Sequence, residues 1–148
     1  MLSSFLKKLL FARQFYMVDG KIEVLGKRQV MLPSNVLAVL GQNGLRTDII
    51  KSVVLSDFQQ YAQMVGSSEE GMFKNIHNIF ETFGLGRLEI ADLDNANKRC
   101  VVRVHDSPFE KANLTPVVLS GMFSFLFKKD VNAVYKDVKF GFEEFVIE

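Results

Sequence analysis

The chain has no tryptophan, one cysteine, three prolines and two histidines in 148 residues. It also lacks an apolar run of the roughly 20 residues that a membrane-crossing helix needs. Each shortage closes a possibility. The lone Cys100 cannot form a disulfide within the chain or build a multi-cysteine zinc site, and it fits a reducing compartment. Neither His77 nor His105 has a second ligand at His-x-x-x-His or Glu-x-x-His spacing, so neither begins a metal site. No G-x-G-x-x-G lies between a strand and a helix; Gly84-Leu85-Gly86 leads into a strand, the wrong setting for a dinucleotide. Local spacing offers no Ser/His/Asp or Cys/His pair, and Glu143 and Glu144 point to opposite faces of a strand. The sequence therefore names no catalytic residue, no metal and no cofactor.

What the chain has in excess is phenylalanine, 14 of them. Hydrophobic residues make up 48% and charged residues 24%, a balance that belongs to a folded globular chain and excludes disorder. The length corresponds to one domain over residues 1–148, able to bury roughly two-thirds of its unfolded surface. So many flat apolar rings exceed what one small core requires, and point to a cavity or an interface. The net charge of +1 divides unevenly. Met1 to Val53 holds eight Lys/Arg against three Asp/Glu, and Val54 to Glu148 ten against fourteen, giving +5 and −4. The positive residues are scattered, so they read as a solvated face or a complement to the acidic part rather than as a nucleic-acid site.

The start, MLSSFLKKLLFARQF, is interrupted by Lys7 and Lys8 before a secretory apolar core could form, and the chain is expected to be cytoplasmic. Phe5, Leu6, Leu9 and Leu10 share one helical face, expected to pack within the chain or across a dimer. FYMVDGKIEVLGKRQVML then reads as a hairpin turning at Asp19-Gly20 or near Gly26. Pro33 opens a helix with Val36, Leu37 and Leu40 inward. Ser56 with Gln59 predicts the capped start of a second helix carrying Phe58, Tyr61, Ala62 and Val65. Ser67 with Glu70 predicts the start of a third, whose Met72, Phe73, Ile76, Ile79, Phe80 and Phe83 form one stripe ended by Gly84.

Two strands, Arg87 to Asp94 and Arg99 to His105, flank the turn Asn95-Ala96-Asn97-Lys98. Cys100, Val102 and Val104 share one face, which makes Cys100 a small core hydrophobe. Thr115-Pro116 predicts a helix start for PVVLSGMFSFLF, twelve uncharged residues with only Ser120 and Ser124 polar. Such a helix must be covered on nearly every side; Gly121 permits a close neighbouring backbone, and the Met72 to Phe83 helix is expected beside it. Two strands, VNAVYKDV and FEEFVIE, close the chain around Phe140-Gly141.

The block GLGRLEIADLDNANKRCVVRVHDSPFE followed by GMFSFLFKKDVNAVYKDVKFGFEEFVIE resembles the vinyl-4-reductase domain. That domain is related in fold to the small subunits of the TRAPP tethering complex and to the sensor domains of bacterial phenol-responsive activators. The resemblance covers about residues 30–148, after an N-terminal helix and hairpin over 1–30. It implies an α+β fold, an antiparallel sheet with a helical layer packed on it, commonly dimeric and holding a small apolar molecule or acyl chain between helices and sheet. Phe73, Phe80, Phe83, Met122, Phe123 and Phe125 are then the candidate lining. Many members also carry a cysteine or zinc signature, whose positions fall here on Ala112, Tyr135, Val138 and Phe145, none of which can bind zinc as a thiolate or carboxylate would. The function expected is small apolar-molecule binding, sensor-like, by a homodimer that contacts no nucleic acid. The alternative is a structural homodimerisation module with no ligand.

Overall fold

Alternation along the chain places its strands, and apolar stripes at helical spacing place its helices. The computed structural model of the chain describes residues 2–19, 21–32, 34–42, 44, 46–65, 67–109, 114–139 and 141–148, with 35, 36, 42, 65, 69 and 137–139 as backbone alone. Twelve elements follow in order: α1 (Ser4–Phe11), β1 (Phe15–Val18), β2 (Lys21–Val24), β3 (Lys27–Gln29), α2 (Ser34–Gln42), α3 (Thr47–Val65), α4 (Glu69–Thr82), β4 (Arg87–Asp94), β5 (Arg99–His105), α5 (Leu114–Phe127), β6 (Ala133–Lys139) and β7 (Phe142–Ile147). The last four strands form an antiparallel sheet in the order β4-β5-β7-β6, and β1-β2-β3 form a small antiparallel meander. The architecture is α+β, an antiparallel sheet with helices packed on it.

The main sheet is amphipathic by register. Cys100 faces Ile147 and Val102 faces Phe145, which sets a largely apolar surface toward the helices, and Val104 faces the buried Glu143 on the same side. The residues between them, Arg103 opposite Glu144 and His105 opposite Phe142, build the other surface. Glu143 and Glu144 thus lie on opposite faces, as alternation requires. On the outer face Glu144 accepts from Arg103 Nε at 2.9 Å and pairs with Lys136 Nζ at 3.1 Å, while His105 Nε2 meets Glu89 at 2.9 Å.

α5 lies on the apolar surface, and its own two serines attach it to the sheet. Ser124 Oγ accepts from the Val131 N–H at 3.1 Å and donates to the Val131 carbonyl at 3.2 Å. Ser120 Oγ accepts from the Ala133 N–H at 2.8 Å and donates to the Pro116 carbonyl at 2.7 Å. These hydroxyls satisfy backbone groups at the approach to β6 that burial would otherwise leave unpaired.

The opposite side of α5 is covered chiefly by α3. A Cβ on Gly121 would lie 2.7 Å from Val54 Cβ and 2.8 Å from the Lys51 carbonyl, so only glycine allows this crossing. Lys51 then reaches past the crossing to Asp130 at 2.6 Å and Asn132 at 2.8 Å. α4, expected beside α5, does touch it through Phe73 on Phe123 and Phe127, and packs also against β4. One cluster of buried side chains runs from Leu9 in α1 through Phe80 and Phe123 to Ile147.

Several sequence expectations shift. The N-terminal strands use both candidate turns, making three strands rather than two; Leu25 and Gly26 both have positive φ, 51° and 73°, the backbone of a tight hairpin turn. Ser56 lies in the middle of α3, which starts nine residues earlier at Thr47 with Asp48 in its first turn. A Ser-x-x-Gln pattern has no capping role when the backbone before it is already helical. The cap of α4 is Ser68, accepting from the Gly71 N–H at 3.2 Å, one residue beyond the expected Ser67. α5 begins at Leu114, so Thr115 lies inside it rather than capping it. Leu40, expected inward, is exposed, whereas Leu37 is half-buried; Pro33 lies outside the described residues, and the side chains of Val36 and Val65 are not described. The α1 face is used within the chain, one of the two placements expected: Leu9 is buried and Phe5 packs on the core, while Leu10 is exposed.

Candidate functional site

Where α3, α4 and α5 diverge they leave a cleft of about 380 Å³, bordered on its fourth side by β3. That size lies within the range of small-molecule sites. α3 supplies Val54, Asp57, Phe58 and Tyr61, at helical spacing along one side. α4 and the turn after it supply Ile79, Phe80, Phe83 and Leu85, and α5 supplies Val118 and Met122. Lys27, Arg28 and Gln29 of β3 complete the border.

The wall is aromatic and ordered. Tyr61 stacks on Phe83 with ring centroids 5.7 Å apart and planes 23° from parallel, and meets Phe58 edge-on at 5.6 Å. Phe58 in turn leans on Phe125 at 6.2 Å. Such offset and edge-on pairs are the favoured arrangements of aromatic rings.

The polar groups gather at the β3 side. The Gln29 side chain lies beside the Tyr61 hydroxyl. Burial, reinforced by the Asp57 carboxylate, pushes the Tyr61 phenol up to about 12, so it stays protonated and remains a hydrogen-bond donor at neutral pH. Asp57 is paired with Lys27 Nζ at 2.9 Å, half-buried on both sides. β3 is held on α3 by this pair, by Gln29, and by Gly26, where any Cβ would collide with Met64 Sδ. The result is an apolar hollow with one polar edge, suited to a ring-sized molecule carrying a single hydrogen-bonding group.

The six residues that the sequence singled out divide between two places. Phe80, Phe83 and Met122 border the cleft. Phe73 and Phe123 instead pack edge to face at 6.4 Å, and both rings lean on Phe127, so they form solid core. Phe125 faces α3 on the other side, beside Leu55, Gln59 and Ala62 in a wider groove. Phe58 and Tyr61 were marked by the sequence only as a helix stripe, and Asp57 and Gln29 not at all. A tyrosine on an otherwise apolar helical stripe was the available signal, because a buried hydroxyl requires a partner.

Other candidates are structural. Burial pushes the Cys100 thiol up to about 12, which removes it as a nucleophile. Tyr135 and Phe145, at two of the zinc positions implied by the resemblance, pack edge to face at 5.5 Å and offer neither a thiolate nor a carboxylate. Ala112 lies outside the described residues, and the Val138 side chain is not described. Among the described residues, no group of three or more His, Cys, Asp or Glu is placed to hold a metal ion. No helix among them is long and apolar enough to cross a membrane.

The class that this architecture defines is an α+β fold, an antiparallel sheet with helices packed on it. Among solved structures, the chain is similar to the phenol-responsive sensory domain of the transcription activator PoxR with phenol. The TM-score is 0.67, covering 99% of this chain and 91% of that one. At 15% identity the likeness is one of fold. No family model matches the chain, and no curated protein matches it in sequence.

Proposed function

We propose that this chain is a small-molecule-binding domain of the sensor type, taking an apolar, ring-sized molecule into the cleft between α3, α4, α5 and β3. The observation that carries the reading is the pairing of a stacked aromatic wall, Phe58, Tyr61 and Phe83, with one polar edge at Tyr61 and Gln29. The ligand's ring would lie on these rings, and its polar group would meet the protonated Tyr61 hydroxyl or the Gln29 amide. On this reading the domain works by binding. The likeness of fold to a domain solved with phenol supports the size and character of the ligand. The vinyl-4-reductase resemblance enters as a likeness of fold and cavity, without its zinc. The setting we infer is the cytoplasm, with two copies of the chain assembled and no nucleic acid bound.

A second reading, a structural dimerisation module without ligand, draws on the Phe73, Phe123 and Phe127 cluster, where phenylalanine serves as solid filling. Calorimetric titration of the full chain with phenol and with toluene, alongside native mass spectrometry of the purified protein, separates the two. Binding of either probe, or a co-purified small molecule, supports the first. A chain that binds neither and carries nothing returns the cleft to packing alone.

A further inference from the structure

Three of the four sides of the cleft are helices bound to one another through the core: Val54 of α3 meets Gly121 of α5, Phe58 leans on Phe125, and Tyr61 stacks on Phe83. The fourth side is of another kind. β3 is three residues long and forms the edge of its sheet, paired among the described strands with β2 alone. Its start is fixed: Leu25 is buried, its N–H donates to the Gln14 carbonyl at 2.7 Å, and Gly26 is pressed on Met64. Its far end runs into Val30, Met31 and Leu32, all exposed. A short edge strand seated at one end and open at the other belongs to the low-stability parts of a fold, from which lids are drawn.

Between those ends, alternation sends Lys27 and Gln29 to the same side of the strand. Lys27 Nζ pairs with Asp57 of α3 at 2.9 Å, and Gln29 lies beside Tyr61. The paired side chains are 31% and 30% exposed, so water and salt reach them. An ion pair in that setting is weak enough to part repeatedly in the native state, and dissolved salt screens it.

We propose that β3 is a hinged gate on the cleft, latched by the Lys27–Asp57 pair, and that a ligand enters and leaves when this pair parts. The inference rests on the reading of the cleft as a binding site and adds its control. The pivot is the Leu25-Gly26 turn, the last point of the strand seated in the core. Opening carries Gln29 away from Tyr61 and uncovers the aromatic wall from its polar edge; closing restores both polar groups to the ligand. The consequence is kinetic. Where entry and exit both need the open form, a weaker latch raises both rates by the same factor and leaves their ratio nearly unmoved.

The test uses the full chain with toluene. Association and dissociation rates are taken from NMR relaxation dispersion over a range of toluene concentrations, for the parent, Lys27→Met and Asp57→Asn. The two variants break the pair from opposite sides, so one that fails to fold leaves the other to decide. Both rates are expected to rise together in each variant, by roughly two- to five-fold for the loss of a half-exposed ion pair. Raising the ionic strength to about 1 M should speed the parent in the same way and leave the variants unchanged. Hydroxyl-radical footprinting without ligand reads the gate directly: oxidation of Tyr61, 4% exposed when closed, should increase in both variants while the fully buried Phe123 stays protected. Toluene that does not bind the parent overturns the cleft as a binding site, and the gate with it. Toluene that binds at rates unmoved by either variant or by salt overturns the gate and leaves the cleft standing. Faster dissociation with association unchanged makes the pair a contact that retains the ligand, and equally overturns the proposal, as does a Tyr61 footprint that neither variant alters.

Discussion

Gly121 and Val54 meet with no room for a side chain between them: a Cβ on the glycine would lie 2.7 Å from that of the valine. This contact sets the distance between α3 and α5, and so the width of the cleft that Val54 and Met122 border on either side of it. Gly121→Ala is expected to destabilise the fold by roughly 1–3 kcal/mol, the cost of overpacking a close contact. Adding Val54→Ala should recover only part of the loss in a urea melt, because the Lys51 carbonyl at 2.8 Å remains in place. Full recovery would show that the side chain alone sets the spacing.

Ser124 makes a second, different kind of attachment. Its hydroxyl both accepts from and donates to the backbone of Val131, in a buried setting. Ser124→Ala removes the partner and leaves an N–H and a carbonyl without it, at roughly 1–3 kcal/mol for a buried group stranded in this way. Hydrogen exchange should quicken at Val131 and at the start of β6 while β4 stays protected.

How far such features were legible depends on the range of the interaction. β4, β5 and their turn were readable to the residue, because period-two alternation and an Asn-Ala-Asn-Lys turn are both local. Gly121 could be marked as a close approach, since a glycine inside an otherwise apolar helix has few other uses. Its partner could not: α3 crosses there rather than α4, and no local pattern distinguishes two amphipathic helices competing for one surface. The cleft was half legible for the same reason. Phe80, Phe83 and Met122 belong to stripes that predict burial. Gln29 and Tyr61, far apart in sequence, become a pair only when β3 folds across α3. Phe73 and Phe123 look the same in sequence as the cleft residues and differ only in meeting each other.

Cys100 should be inert in the native chain. With its thiol pushed up to about 12 by burial, thiolate is scarce at pH 8, and a disulfide reagent should label it only after unfolding. Stoichiometric labelling within minutes under native conditions would place the residue at the surface.

Glu144 gives the sheet an acid-sensitive element. Its hydrogen bond from Arg103, then that from Lys136, holds its carboxyl below the ordinary value of 4.5. A carboxylate whose folded value is depressed stabilises the fold above its unfolded value, and that contribution is lost as pH falls through the folded one. Thermal melts of the parent and of Glu144→Gln should therefore differ most at pH 6–7 and draw together as pH falls below the ordinary value of 4.5 toward the depressed one. A constant difference across that range would mean the residue acts through packing alone.

Two phenylalanines distinguish a cleft from a solid core. Phe123 is fully buried among Phe73 and Phe127, so Phe123→Ala is expected to cost roughly 3–5 kcal/mol, as for a ring removed from close packing. Phe83 is half-buried, with Tyr61 stacked on one side and the cleft on another, so fewer contacts are lost and Phe83→Ala should cost clearly less. The same change enlarges the cleft and removes a stacking surface, so it should weaken toluene and phenol alike. Tyr61→Phe keeps the ring and deletes the hydroxyl: toluene should bind as before, while phenol loses about 1 kcal/mol, roughly fivefold, for one neutral hydrogen bond. Equal losses of stability for Phe83→Ala and Phe123→Ala, with neither probe responding to any of these changes, would mean that the cleft is packing space and Tyr61 serves only to hold β3.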